Sequence, residues 1–211
     1  MTLDSSDRIA RLSADKRAQL EERLRGRKPR PGAQSTKIPL RPQRNVAPLS
    51  FAQQRLWFLE HWDPGTAVYN VCVPLRLHGP LDIAALARAL NRVVARHEVL
   101  RSYLLSSFRG EPNQVILPEL TVALPVAPLT LDERGMDGFL RDLIASEAKH
   151  PIRLDQAPLF RARIYQLGAQ DHILFFLIHH IIYDSWSLGV FLKEWFHYYH
   201  AERESGSQKR L

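Results

Sequence analysis

The sequence predicts an α/β sandwich, and three observations carry that expectation. Ile173 to Ile178 are six consecutive apolar residues inside a strand expected over 172–182, the pattern of a strand buried on both faces. Residues 83–96 place Ile83, Leu86, Leu90, Val93 and Val94 on one helical face behind Asp82 as a cap. Further helical and strand-like segments are interspersed along the rest of the chain, the order of a layered domain.

The elements follow in chain order. Residues 1–25 read as an amphipathic helical segment, with Ile9, Leu12, Leu20 and Leu24 at helical spacing from about residue 5. Ser13 and Asp15 offer a second start, so one helix or two are both open. Residues 26–48 hold Gly26, Gly32, Pro29, Pro31, Pro39, Pro42 and Pro48, a composition that suits an extended linker. The compact domain is expected over 49–211. Ser50 can cap a helix over 51–61. Residues 68–77 read as a strand, and Pro74 places it at a sheet edge or a bulge. Gly79-Pro80 ends it. Residues 99–108 and 113–117 read as paired strands around a turn at 109–112. A short strand is expected near 121–126, and a helix from Asp132 to Lys149 with Phe139, Leu140, Leu143 and Ile144 apolar. Residues 159–166 alternate as a strand does. Ser187 is the expected cap of a last helix reaching Glu204.

Composition narrows the function classes. No stretch reaches the roughly 18 apolar residues of a membrane span, and the N-terminus lacks the apolar core of a secretory signal. Cys72 is the only cysteine, which excludes an internal disulfide and a cysteine metal cluster. A cytoplasmic setting is expected. The net charge of +7 is local: residues 1–48 hold 12 Lys and Arg against 5 Asp and Glu, and the rest is balanced. Residues 1–48 hold no aromatic residue for base stacking, so a solvated linker is expected and no nucleic-acid partner.

The chemistry concentrates at 173–187, where the apolar run leads into His179 and His180, and Asp184 follows Tyr183. Imidazole titrates near neutral pH, which makes it costly core filler and useful at a reacting centre. Neighbours on a strand face opposite ways, so the two histidines cannot share one pocket. Periodicity does not say which is the chemical group. Asp184 can pair with an arginine or hold the turn. The plainer reading is a strand end with two satisfied histidines and a turn aspartate.

Three ordered motifs add to this. The run from His179 to Ser185 resembles the HHxxxDG signature of condensation domains of nonribosomal peptide synthetases. Ser50, Ala52, Gln53, Arg55, Leu56, Trp57 and Leu59 are similar to that family's SxAQxRLWxL motif, and Arg96 to Arg101 to its RHExLR motif. The resemblance covers about residues 45–205. It implies a chloramphenicol-acetyltransferase-like lobe with a mixed sheet flanked by helices, the N-terminal lobe of two, with the second absent. It implies amide formation between an acyl or peptidyl thioester and an aminoacyl acceptor, both on phosphopantetheine arms of carrier proteins. No cofactor bound directly and no metal is expected; the partners are carrier proteins and neighbouring synthetase domains.

By motif position the resemblance makes His180 the catalytic residue facing a tunnel between lobes, and His179 its structural partner. Asp184 becomes an ion-pair anchor, with Arg55 and Arg101 as candidate partners here and an arginine of the absent lobe as the alternative. Ser185 departs from the signature, where glycine stands. Glycine tolerates positive φ and close backbone approach, so serine implies a conformational cost. Two other readings remain open: a non-catalytic module that binds carrier proteins, and a stand-alone acyltransferase acting on a small alcohol or amine. Trp57 and Trp186 are expected in the core. His97 is expected to pack or cap a helix end, and His197 with His200 is weak as a metal pair. Ser185 and Ser187 lack the G-x-S-x-G elbow of a serine nucleophile. An excised lobe is expected to expose apolar surface and self-associate.

Overall fold

The computed structural model describes residues 41–106, 110–147 and 150–208. The helical segment expected over 1–25 and most of the linker expected over 26–48 lie outside the described residues. The elements are β1 (Val46–Pro48), α1 (Phe51–Trp62), β2 (Asn70–His78), α2 (Ile83–Arg96), β3 (Ser102–Ser106), β4 (Pro112–Ile116), β5 (Val126–Pro128), α3 (Gly135–Glu147), β6 (Phe160–Gly168), β7 (Asp171–His179) and α4 (Ser185–Gln208). Residues Glu98–Arg101 and His180–Ile182 form 3-10 turns.

Two sheets result. β1, β4 and β3 form a small antiparallel sheet. Val46–Pro48, read from sequence as the end of the linker, are therefore a strand, and the compact unit begins at Gln43. Three residues are too short to show alternation, so the prolines around them dominate the sequence pattern. The larger sheet has the order β2, β7, β6, β5; its first two pairings are antiparallel and the last is parallel, so it is mixed.

β7 is an interior strand, with His172 to His179 all buried. That burial on both faces is why its sequence does not alternate. β6 beside it does alternate, with Arg161 and Arg163 outward. α2 and α4 pack on each other and on the sheet. Trp195 of α4 is fully buried, and its indole N–H donates to the Leu86 carbonyl of α2 at 3.0 Å. Phe176 of β7 stacks on Phe191 at 4.8 Å between ring centroids.

β2 is an edge strand, one of the two places that Pro74 allows. The His180 amide donates to the Tyr69 carbonyl, and the Gly79 amide to that of Gln170. Odd-numbered residues of β2 thus exchange bonds with β7, and Pro74 lies among the even ones that face outward. Gly79 ends the strand at φ +105°, a backbone that suits glycine.

Several expectations shift. The strand expected over 121–126 is β5 at Val126–Pro128, because Val122 donates its amide to the Asn91 side chain instead of a ladder. Ile144 of α3, expected on an apolar face, is 43% exposed. Trp57 is only half-buried, and Trp186, expected in the core, is 84% exposed.

Candidate functional site

The strand expected over 172–182 ends earlier, at His179. His179 Nδ1 accepts the Ile181 amide at 3.1 Å, and the Tyr183 amide donates to the His180 carbonyl. These bonds curl His180–Ile182 into a 3-10 turn where a strand was expected. Two further backbone bonds hold the pair in place. The His179 amide donates to the Leu159 carbonyl just before β6, and the His180 amide to that of Tyr69 just before β2, at 3.0 and 2.8 Å.

The two imidazoles then part. His179 is 1% exposed, whereas His180 is exposed. Burial pushes the His179 pKa down to about 4, with the His180 charge adding to the effect. The ring is neutral near pH 7. Since Nδ1 accepts a hydrogen bond, its proton sits on Nε2. Nε2 points toward Glu60 of α1, 4.0 Å from Oε2.

α1 reaches the same turn. Ser50 and Gln53 cap its start reciprocally. The Gln53 carboxamide also donates to the Ile181 carbonyl at 3.2 Å. The first motif therefore braces the third, a relation that their 128-residue separation hides in the sequence.

Asp184 takes the cap position expected of Ser187. Asp184 precedes α4 and accepts the Ser187 amide at 2.7 Å; the Asp184 amide donates to Ser187 Oγ at 2.9 Å. Asp184 is the helix cap, and Ser187 is the third helical residue that closes a capping box. The Ser187 amide and hydroxyl hold the Asp184 carboxyl below the usual carboxylate range, and His180 lowers it further.

Neither candidate arginine pairs with Asp184 among the described residues. Arg55 is exposed on α1. Arg101 donates to the Leu117 carbonyl and lies 4.0 Å from Glu98, because the strand that follows it pairs with β4 and turns the guanidinium that way. Its Nε is buried without a partner. Ser185 is the first residue of α4, and no described non-glycine residue has positive φ. Serine therefore carries no backbone penalty there, contrary to the expectation from glycine's freedom.

Tyr183 links the histidine to an opening. Its ring lies 6.0 Å from that of His180. It also lines an apolar cleft of about 240 Å³ with His97, Leu100, Ile178 and Trp186. His97 caps the end of α2 and its Nε2 meets Glu194 of α4. No described cluster of three His, Cys, Asp or Glu is placed to hold a metal, and no described helix is long and apolar enough to cross a membrane.

Sequence reading missed Glu60 and Asn70. Asn70 lies opposite His179 in the β2–β7 register, and both its side-chain polar atoms are buried without partners. The available signal was the seven-residue step from Gln53 to Glu60, which puts both on one face of α1.

The family profile described as Condensation domain matches residues 43–210. The chain belongs to the condensation domain family. Phosphinothricin tripeptide synthetase PhsC of Streptomyces viridochromogenes is 38% identical over 210 residues, 99% of this chain and 19% of that protein. Chondramide synthase cmdD of Chondromyces crocatus is 39% identical over 154 residues, 72% of this chain and 4% of that one. Among solved structures, the first condensation domain of the CDA synthetase superposes with a TM-score of 0.69 at 27% identity, covering 76% of this chain and 40% of that chain. The X-domain in complex with OxyB from teicoplanin biosynthesis gives 0.68 at 29%, covering 79% and 35%. This condensation domain chain thus spans well under half of each.

Proposed function

We propose that this chain supplies the histidine-bearing half of a site for amide bond formation in nonribosomal peptide synthesis. The donor is an acyl or peptidyl thioester and the acceptor an aminoacyl amine, each on the phosphopantetheine arm of a carrier protein. The observation that carries the reading is the exposed His180 beside the Tyr183-lined cleft, on a turn braced from β2, β6 and α1. The amine nitrogen attacks the thioester carbonyl carbon, the carbon–sulfur bond breaks, and the sulfur leaves as the thiol of the donor arm. The amine gives up one proton in forming the amide. His180 takes that proton or holds the amine in line, and His179 and Asp184 hold the turn and the helix start that frame it. Positioned proton transfer contributes about 10²–10⁴-fold. The arms of the carrier proteins bring the reacting groups, so the chain itself binds no cofactor, and adjacent synthetase domains are its partners.

The test is His180→Ala in a domain completed by its second lobe and given loaded carrier proteins. Amide formation should fall at least about 100-fold; an unchanged rate would overturn the assignment. Free amines and alcohols offered in place of the acceptor carrier should give no product, and turnover of either would favour the stand-alone acyltransferase.

A second reading is a docking module without catalysis. The similarity to an X-domain seen in complex with a partner favours it. Under that reading His180→Ala leaves both the binding of carrier proteins and the assembly's output unaltered.

A further inference from the structure

Glu60 is a partly buried acid with one oxygen, Oε2, fully covered, and the chemistry proposed above does not use it. It lies two helical turns beyond Gln53 on the same face of α1. Gln53 holds the Ile181 carbonyl at 3.2 Å, and His179 Nδ1 holds the Ile181 amide at 3.1 Å. One residue is therefore gripped at both of its backbone polar groups, and the residue before it is His180. Whatever orients the His179 ring also places His180.

The other nitrogen of that ring faces Glu60. Glu60 Oε2 lies 4.0 Å from His179 Nε2; the two side chains are 12% and 1% exposed. Both atoms are buried, and neither has a hydrogen-bond partner. One is a donor, because Nδ1 already accepts. The other is an acceptor, because a carboxyl oxygen can accept in either protonation state of the group. A buried donor and a buried acceptor left facing each other are poorly explained as filler. Hydrogen bonds around reacting centres are often long in the free protein and tighten when the site fills. Burial also pushes the Glu60 carboxyl above its ordinary range, with the Gly65 amide opposing. An acid kept in so unfavourable a place acquires a reason if it holds the ring.

We propose that Glu60 is a positioning residue: by holding the Nε2 proton of His179 it fixes the ring that holds the Ile181 amide, and so fixes where His180 stands. This rests on the reading of His180 as the group at the reacting centre.

The experiment has two arms. In the first, the chain labelled with ¹⁵N-histidine is examined by NMR. His179 should show one protonated and one bare nitrogen, with the proton on Nε2. Glu60→Ala should leave the proton on Nε2, where the Ile181 amide keeps it, but speed its exchange with water, and Glu60→Gln, which keeps an acceptor oxygen, should slow that exchange again. Glu60→Leu keeps the bulk without the acceptor and replaces the Ala variant if that fails to fold. In the second arm, the completed two-lobe domain is assayed with loaded carriers. Glu60→Ala or Glu60→Leu should lower kcat about 10- to 100-fold with KM little changed, the loss expected from a misplaced group. Glu60→Gln should stay within a few-fold of the parent. An unaltered exchange rate of the His179 Nε2 proton in both the Ala and Leu variants overturns the positioning role, as does a Gln variant no better than Leu. His180→Ala in parallel keeps the failures apart: if it retains full rate, the assignment of His180 is wrong, while the first arm still judges the contact.

Discussion

Asp184 and Ser187 close on each other at the start of α4, the Ser187 amide donating to the Asp184 carboxylate at 2.7 Å and the Asp184 amide to Ser187 Oγ at 2.9 Å. The aspartate of the signature is therefore engaged with a helix end and not with either candidate arginine. Replacing Asp184 by Ala should lower the melting temperature by about 2–4 °C, the effect of one lost cap in a domain of this size. Asp184→Asn, which still caps, should lose little. A large loss in the Asn variant, followed by differential scanning calorimetry, would mean that the charge itself matters to folding.

The two histidines should separate cleanly in stability measurements. His179→Ala removes a buried ring and strands the Ile181 amide, which should cost about 2–4 kcal/mol in urea unfolding. His180→Ala removes an exposed side chain and should stay within about 0.5 kcal/mol of the parent. Equal losses would contradict the division between a structural and a chemical histidine.

Acid should weaken the fold through His179. Its folded-state pKa of about 4 lies below the ordinary 6.5, so between those values the unfolded chain binds a proton that the folded one does not. The neutral ring's contribution is fully present above pH 6.5 and is lost as pH falls toward 4, on the order of 3 kcal/mol in all. Glu60, raised by burial, works the other way and grows more favourable as pH falls. The His180 charge adds to the depression at His179, and Tyr69 faces the ring 6.2 Å away. Subtracting the stability curve of a His179→Gln variant from that of the parent isolates the histidine. A flat difference between pH 6.5 and 4 would refute the assignment.

Trp186 at 84% exposure and Val190 at 43% leave an apolar strip on the first turns of α4. The chain should self-associate and bind an apolar dye, and Trp186→Ser should reduce both. Sedimentation that shows a monomer at all concentrations, with little dye bound, would contradict this.

Much of the frame was legible in the sequence because its signals are local. The Ser50 and Asp82 caps, the edge or bulge that Pro74 signals and the buried run of β7 each follow from a few adjacent residues. What was not legible depends on partners far along the chain or on which of two rival groups prevails. The strand end at His179 is decided by a side chain accepting the Ile181 amide, and the orientation of Arg101 by a carbonyl across the small sheet. Ser187 looked like a cap because serine favours that place; Asp184, one turn earlier, took it. Glu60 reads as an ordinary surface acid on α1 until the fold sets it against His179.

Pro74 stands midway along β2 with its nitrogen turned to the open side of the larger sheet. An imide nitrogen has no proton to offer an incoming strand, so the rim cannot run an unbroken ladder onto another copy. Clumping of this chain should then proceed by greasy side-chain contact and dissolve again on dilution, without lengthening into fibrils. Swapping the imide for an ordinary amide with Pro74→Val would be the change that exposes it to growth end over end.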